Sequence, residues 1–368
     1  MRICFICETP YQIFNSISIA KMHSGNNDTL DIFIADCFRN YDQFGQNLIA
    51  EKLFSNVYFY SYSVFREKIS NHFFQKILEI CTPNLLLNHL FSGKIEKNYY
   101  DRVFISTIAP FAATLIFRNP DADVFYYDDG VGSYIMGVGV STFSKGRRLI
   151  SFLTGHNYNK FNPKAVYLRN VDFGHLQYDC ELVQIQNSFI KDKDEMDQLK
   201  RVFSYKNSSL YNGESVILID NPDLVETSSF NKNIDCNIKK LVASKFENSF
   251  IRPHPRQKEV FDYGIRIDSS GNFWELLCAD QITDDCCLIG SFSTAQMSPK
   301  MLFNKEPYLI FTYKLFEEGK ESVPSERLKS LIQMLRDSYV DPKRIHEVES
   351  IEEIKAVLQQ LIDKKDSK

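Results

Sequence analysis

Seven short apolar runs punctuate the chain, each stopped by polar, proline or glycine residues. In order they are RICFIC before ETPYQ, DIFIAD before CFRN, RVFIS before TIAP, DVFYY before DDGVGS, VILID before NPD, NSFI before RPHPR, and CCLIG before SFSTA. Between them apolar residues recur at helical spacing, as at Met196, Leu199, Val202 and Phe203, or at Leu328, Leu331, Ile332 and Leu335. Ser350 and Glu353 form a capping box, and Ile351, Ile354, Val357, Leu358 and Leu361 then share one helical face. Strands apolar on both faces, alternating with helices, predict parallel sheets covered on both sides. Two are expected, one across about residues 1–190 and one from near Val216 to about residue 315. The stretch Lys191–Gly213, rich in charge, Asn and Ser, connects them.

A length of 368 residues agrees with two domains, at about 150 residues each. The expected fold class is α/β, with two doubly wound Rossmann-like domains facing each other across a cleft, the GT-B architecture. A flavodoxin-like pair in a binding protein is the structural alternative. The N-terminal domain is drawn at residues 1–205 and the C-terminal domain at 206–368, with the last helix free to cross back. In open parallel sheets ligands sit beyond the carboxyl ends of strands, so the residues just after each apolar run are the ones to read for chemistry.

Composition narrows the partners. With 43 basic and 47 acidic residues and a net charge of −4, nothing draws the chain to nucleic acid, and any anion must be caught locally. No stretch approaches the roughly 18 unbroken apolar residues of a membrane span. The opening run is broken by Glu8, Pro10 and Gln12, with no small-residue cleavage site, so a secretory leader is not expected. The nine cysteines are odd in number and scattered. Cys4 and Cys7 read as a buried thiol pair, not zinc or redox chemistry, because they lie in an apolar strand and no second CxxC follows. A reduced, cytoplasmic protein is expected.

Four strand ends carry candidate chemistry. In RPHPR, His254 sits between Pro253 and Pro255, with Arg252 and Arg256 flanking. So stiff a turn positions an imidazole well, and the arginines disfavour a further positive charge until an anion arrives. A general acid acting on a phosphate leaving group needs this, although a solvated surface turn has the same spelling. In GSFSTA, Ser291, Ser293 and Thr294 stand where a strand gives way to a helix, a phosphate site or an ordinary N-cap. In YYDDGVGS, adjacent side chains of an extended backbone point apart, so one of Asp128 and Asp129 faces the cleft, where it could take a proton from a sugar hydroxyl. The alternative is an Asp-Gly turn with an Asx cap. Gly130, Gly132, Gly137 and Gly139 suggest a flexible loop and do not match a dinucleotide fingerprint. In VILIDNPD, Asp223 is a second candidate base, or a turn and N-cap residue. No HExxH, Walker A or GxSxG pattern appears, so a protease, NTPase or ordinary hydrolase is unsupported. Lys145–Arg148, KGRR, is a small basic patch, a solvated loop or a face for anionic lipid or a glycan acceptor.

Taken together, TPYQ with its following Asn-Ser-Ile, the DDG of YYDDG, the Pro-Asp of NPD, PHPR and SFSTA resemble bacterial glycosyltransferase family 52, which contains sialyltransferases that cap lipooligosaccharide or capsule. They occur in the family's order over about residues 8–295. The resemblance implies a GT-B fold and an inverting, metal-independent transfer of sialic acid from CMP-sialic acid to a galactoside terminus, with no cofactor. His254 would be the general acid and donor-phosphate ligand, with Arg252, Pro255, Ser291, Ser293 and Thr294 on the CMP side. Within family 52 the position of Asp223 is the base, whereas in related families it is the DDG carboxylate, matching Asp129; both are kept. Thr9, Tyr11, Gln12, Asp128 and Gly130 would line the acceptor or sugar side. The partners would be a nucleotide-sugar donor and a glycan acceptor, with membrane association peripheral and a homodimer left open. Another nucleotide sugar such as a UDP-hexose, or a non-enzymatic two-lobed binding protein, are the alternatives.

Overall fold

The computed structural model describes residues 1–23, 25, 28–65, 81–84, 87, 99–135, 161–174, 180–207, 209–211, 213–220, 232–257, 260–316 and 325–366. The chain divides into two compact units, Met1–Ser204 and Tyr205–Lys368. The first unit runs β1 (Arg2–Cys7), α1 (Pro10–His23), β2 (Thr29–Ala35), α2 (Tyr41–Ala50), β3 (Asn56–Tyr60), β4 (Arg102–Ile105), α3 (Pro110–Arg118), β5 (Asp123–Tyr127), α4 (Val131–Ile135), β6 (Ala165–Leu168), β7 (Glu181–Gln184) and α5 (Lys193–Val202). Its strands form one parallel sheet in the order β3-β2-β1-β4-β5-β6-β7.

The second unit runs β8 (Val216–Ile219), α6 (Lys232–Lys245), β9 (Ser249–Arg252), β10 (Arg266–Ile267), α7 (Trp274–Asp280), β11 (Cys287–Gly290), α8 (Thr294–Phe303), β12 (Tyr308–Phe311), α9 (Ser325–Ser338), β13 (Ile345–Glu347) and α10 (Ile351–Asp366). Its sheet is also parallel, ordered β10-β9-β8-β11-β12-β13. Each unit is doubly wound: chain order reverses between β1 and β4, and again between β8 and β11, which makes those junctions the switch points where ligands of such sheets bind.

All seven apolar runs are strands, and the reason is burial on both faces. In β1 every residue after Arg2 is buried, and β8 and β11 are buried throughout. The first sheet carries aromatic ladders. Phe5, Phe104 and Phe125 pair in register across β1, β4 and β5, with ring centroids 4.8 Å apart at both steps and planes within 21° and 15°. Offset stacking in such pairs adds about 0.5–1.5 kcal/mol beyond area burial. One face of the second sheet is aliphatic: Val216, Leu218, Ile251, Ile289 and Ile310 meet Ile238 and Val242 of α6 and Ile354, Val357 and Leu358 of α10. The last helix therefore packs on its own unit. Its N-terminus is capped by Ser350, whose Oγ accepts the Glu353 N–H at 3.2 Å, while the Glu353 carboxylate takes the Glu349 N–H at 2.9 Å.

The glycine-rich stretch after Asp129 departs from the expected flexible loop as far as it is described. Gly130 adopts φ +94°, but residues 131–135 then turn into α4, fixed by Ser133 N–H to Gly130 O at 2.9 Å and by Asp129 N–H to Ser133 Oγ at 2.8 Å. Gly137, Gly139, KGRR and Asn221–Asp223 lie outside the described residues. Among the described residues no helix is long and apolar enough to cross a membrane.

Candidate active site

Each unit concentrates polar side chains at the carboxyl ends of its strands. In the first, β1 stops at Cys7 and α1 starts at Pro10, with proline at the first helical position where its missing N–H costs nothing. Thr9 is the cap: its Oγ1 accepts the Gln12 N–H at 3.1 Å and its carbonyl the Ile13 N–H at 3.2 Å. Gln12 is 1% exposed; its Oε1 accepts the Glu8 N–H and its Nε2 donates to Asp129 Oδ1. Tyr11 is half-buried, its ring 6.2 Å from that of Phe14. Glu8 is buried and accepts from Tyr60 OH at 3.2 Å.

The two aspartates part as an extended backbone requires. Asp128 is fully buried and Asp129 half-buried. Asp128 receives the Gly130 N–H at 2.7 Å, the Arg169 N–H at 3.0 Å and the Tyr134 hydroxyl. Burial raises its pKa, and the bonds from Tyr134, Arg169 and Gly130 offset that only in part. Asp128 thus closes an Asx turn and anchors the loop from below, while Asp129 is the carboxylate left nearer the surface.

Beneath them lies a side chain the motifs did not point to. Arg169, just past β6, is 1% exposed. Its Nε donates to Asn15 Oδ1 and its Nη1 to Asn187 Oδ1, both at 2.7 Å, and its Nη2 to Ser18 Oγ at 2.8 Å; the guanidinium stacks 4.2 Å over Phe14. Its signal was its position: it follows AVYL, a fully buried run of four residues.

In the second unit β8 and β9 end side by side, with Asp220 N–H donating to Arg252 O at 3.0 Å. The Asp220 carboxylate pairs with buried Lys239 at 3.1 Å, and Lys239 also holds Asp235 at 3.1 Å. Gln257 ties this pair to the histidine turn. Its Nε2 donates to Asp220 Oδ2 at 3.1 Å, its Oε1 accepts the His254 N–H at 3.2 Å, and its own N–H closes the turn on His254 O at 2.9 Å. His254 Nδ1 accepts the Arg256 N–H at 3.2 Å, so the neutral ring carries its proton on Nε2. Pro255 is half-buried in the turn, and Arg256 is exposed. Arg252 points elsewhere: its guanidinium bonds to buried Asp268 and to Asn272 O, 5.8 Å from the Trp274 ring.

Across β8 from this turn, β11 ends at Gly290. A Cβ on Gly290 would lie 3.0 Å from Gln296 Oε1 and 3.2 Å from Ile219 O, so any larger residue would make Gln296 of α8 or the end of β8 give by a few tenths of an ångström. Ser291 is buried. Ser293 is the N-cap, its Oγ accepting the Ala295 N–H at 3.3 Å, and half-buried Thr294 opens the helix.

The fold thus joins Thr9, Gln12 and Asp129 in one bonded cluster with Asp128 and Gly130 beneath, sets His254 and Pro255 in one turn, and places Ser291, Ser293 and Thr294 two strands over, on the far side of β8 at the switch point. Asp223 lies outside the described residues. Among the described residues no group of three or more His, Cys, Asp or Glu side chains is arranged to hold a metal ion. Cys4 and Cys7 are both buried with their thiols pushed up by that burial, Cys7 to about 12.

No family model matches the chain, and no curated protein matches it by sequence. Among solved structures it is similar to the spinosyn forosaminyltransferase SpnP, at 9% identity over 99% of this chain and 91% of that one, with a TM-score of 0.50. It is also similar to the GT-B domain of a sialyltransferase from Photobacterium damselae, at 12% identity over 94% of this chain and 100% of that one, TM-score 0.47. A third neighbour is Arabidopsis thaliana UGT89C1 complexed with UDP, at 9% identity over 97% and 99%, TM-score 0.46. The likeness to SpnP spans nearly the whole chain, and with the two doubly wound sheets it defines the fold as GT-B.

Proposed function

We propose that this GT-B protein is an inverting, metal-independent glycosyltransferase that moves sialic acid from CMP-sialic acid to a galactoside terminus of a bacterial surface glycan. The observation that carries this reading is a division of labour. A half-buried carboxylate, Asp129, stands at the strand ends of one unit, and an imidazole presenting Nε2–H, His254, at those of the other. Sialic acid leaves CMP through a cation-like transition state at a tertiary carbon, so no strong nucleophile is needed. The departing phosphate must be neutralised, and one proton must leave the acceptor hydroxyl. On this reading His254 Nε2–H serves the phosphate, with the hydroxyls of Ser293 and Thr294 at the N-terminus of α8. Asp129 takes the proton, Asp223 being the alternative base.

The test is CMP release from CMP-sialic acid, with a galactoside supplied and EDTA present. Replacing His254 by Ala costs on the order of a hundredfold in rate, the scale of a general acid. In a thermal-shift comparison of CMP, UDP and GDP, CMP alone raises Tm. A ligand at a hundred times its Kd stabilises by about 2.7 kcal/mol. Stabilisation by UDP without CMP release overturns the choice of donor.

A further inference from the structure

We infer that Gln12 is a positioning residue for Asp129, holding that carboxylate ionised and in one orientation for proton abstraction. The inference rests on the transferase reading with Asp129 as base. A glutamine amide has an acceptor end and a donor end, and its neighbours decide which way round it lies. At 1% exposure Gln12 has no solvent to turn to. The Glu8 N–H can only donate, so Oε1 faces it, and Nε2 is left to donate to Asp129 Oδ1. Flipping the amide would set N–H against N–H and oxygen against carboxylate.

The frame around this contact is fixed at both ends. Thr9 Oγ1 holds the Gln12 N–H at 3.1 Å, and Ser133 Oγ holds the Asp129 N–H at 2.8 Å. Glu8 is itself tied down, by Tyr60 OH on its carboxylate and by Cys37 Sγ on its carbonyl, both at 3.2 Å. A hydrogen bond is stronger to a carboxylate than to a carboxylic acid, so the donor favours the charged form, and a base must be charged before the acceptor arrives. The polar residues that halt the first strand then make one device: Glu8 orients Gln12, and Gln12 orients Asp129.

The experiment follows the Asp129 carboxyl by NMR titration in the full chain labelled with 13C-aspartate, its signal assigned from Asp129→Asn. Gln12→Leu raises the Asp129 midpoint by about one pH unit. Gln12→Glu keeps an acceptor for the Glu8 N–H but sets a second buried carboxyl beside Asp129, so the pair shares one proton and its upper apparent midpoint rises further. In CMP release from CMP-sialic acid, the acid limb of kcat/KM moves up in the same order. In an Asp129→Asn background, Gln12→Leu changes kcat/KM by less than about twofold. An Asp129 midpoint unmoved in both Gln12 variants overturns the inference, whichever donor the protein uses. Full transfer by Asp129→Asn would overturn the reading beneath it, and with it the role given to Gln12.

Discussion

Two buried aspartates, one in each unit, make a near-controlled comparison. Asp128 follows β5 and Asp268 follows β10, and each backbone N–H joins the neighbouring strand. Each closes an Asx turn on the N–H two residues on, Gly130 at 2.7 Å and Ser270 at 2.9 Å. Each accepts a tyrosine hydroxyl, from Tyr134 and Tyr211. The third donor differs: for Asp128 it is the backbone N–H of Arg169, and for Asp268 the guanidinium of Arg252. Both residues are nearly inaccessible, at 0% and 4%. Yet burial leaves Asp128 above the usual carboxylate value, whereas at Asp268 the charge of Arg252, with the bonds from Ser270, Tyr211 and Arg252, together outweighs burial and holds the carboxyl below it. Neutral donors satisfy a buried carboxylate without making its charge comfortable; an adjacent cation does both. Arg169 could have filled that place with its own guanidinium, but spends it on Asn15, Ser18 and Asn187.

The strongest way to break the comparison is to take away the cation. Arg252→Met strands the Asp268 carboxylate in the interior of the second unit, which typically costs about 3–5 kcal/mol. It also removes the main force holding that carboxyl down, so Asp268 comes to behave like Asp128. Urea unfolding at neutral pH measures the loss. Repeating it at acid pH, where Asp268 is protonated in both chains, recovers much of it. A loss that stays constant with pH would mean that Arg252 acts through packing on Trp274 and not through charge.

A finer cut compares the neutral donors. Tyr134→Phe and Tyr211→Phe each remove one hydroxyl from a buried carboxylate, and each should cost about 1–3 kcal/mol. The Tyr134 variant should lose more, because Asp128 has no guanidinium bonded to it to absorb the change. Equal Tm shifts in the two variants would show the guanidinium to be irrelevant to how hard each carboxylate leans on its hydroxyl.

These contrasts also mark where the sequence could be read and where it could not. The fold was legible because seven runs apolar on both faces can hardly be anything but strands of a covered sheet, and their helical intervals make it parallel. The strands β3, β7, β10 and β13 escaped because they are edge strands, the first three of them largely half-buried or exposed, whereas length does not set β6 and β12 apart, since β4 and β8 also have four residues. The opposite fates of Asp128 and Asp129 follow from strand alternation alone. The surroundings of Arg169 and Arg252 do not. Arg169 meets Asn15 and Ser18 across more than 150 residues of sequence, and Arg252 meets Asp268 on the other side of a turn and a strand. Arg252 belongs by spelling with the donor ligands, and no local pattern reveals that its guanidinium turns toward Asp268. Gln12 was visible as a polar residue at a strand end, but which way its amide lies depends on partners that only folding supplies.

The smallest effect gives the sharpest sign. Asp268 has a folded pKa below its unfolded one, so its contribution to stability is present above the unfolded value and fades as pH falls through the folded value. Asp128 has a folded pKa above its unfolded one, so its contribution is present at acid pH and fades as pH rises through the folded value. Asparagine at either position abolishes that titration. The destabilisation caused by Asp268→Asn should therefore grow as pH rises from about 2.5 to about 6, while that caused by Asp128→Asn should shrink over the same range. Each unit of separation between folded and unfolded pKa tilts the curve by about 1.4 kcal/mol. Chemical unfolding of both variants and the parent chain across that range measures the tilts. Because each variant is compared with itself at another pH, the constant cost of fitting an amide among three donors cancels. Tilts of the same sign would mean that the guanidinium beside Asp268 does not decide its charge, and the distinction between the two units would fall.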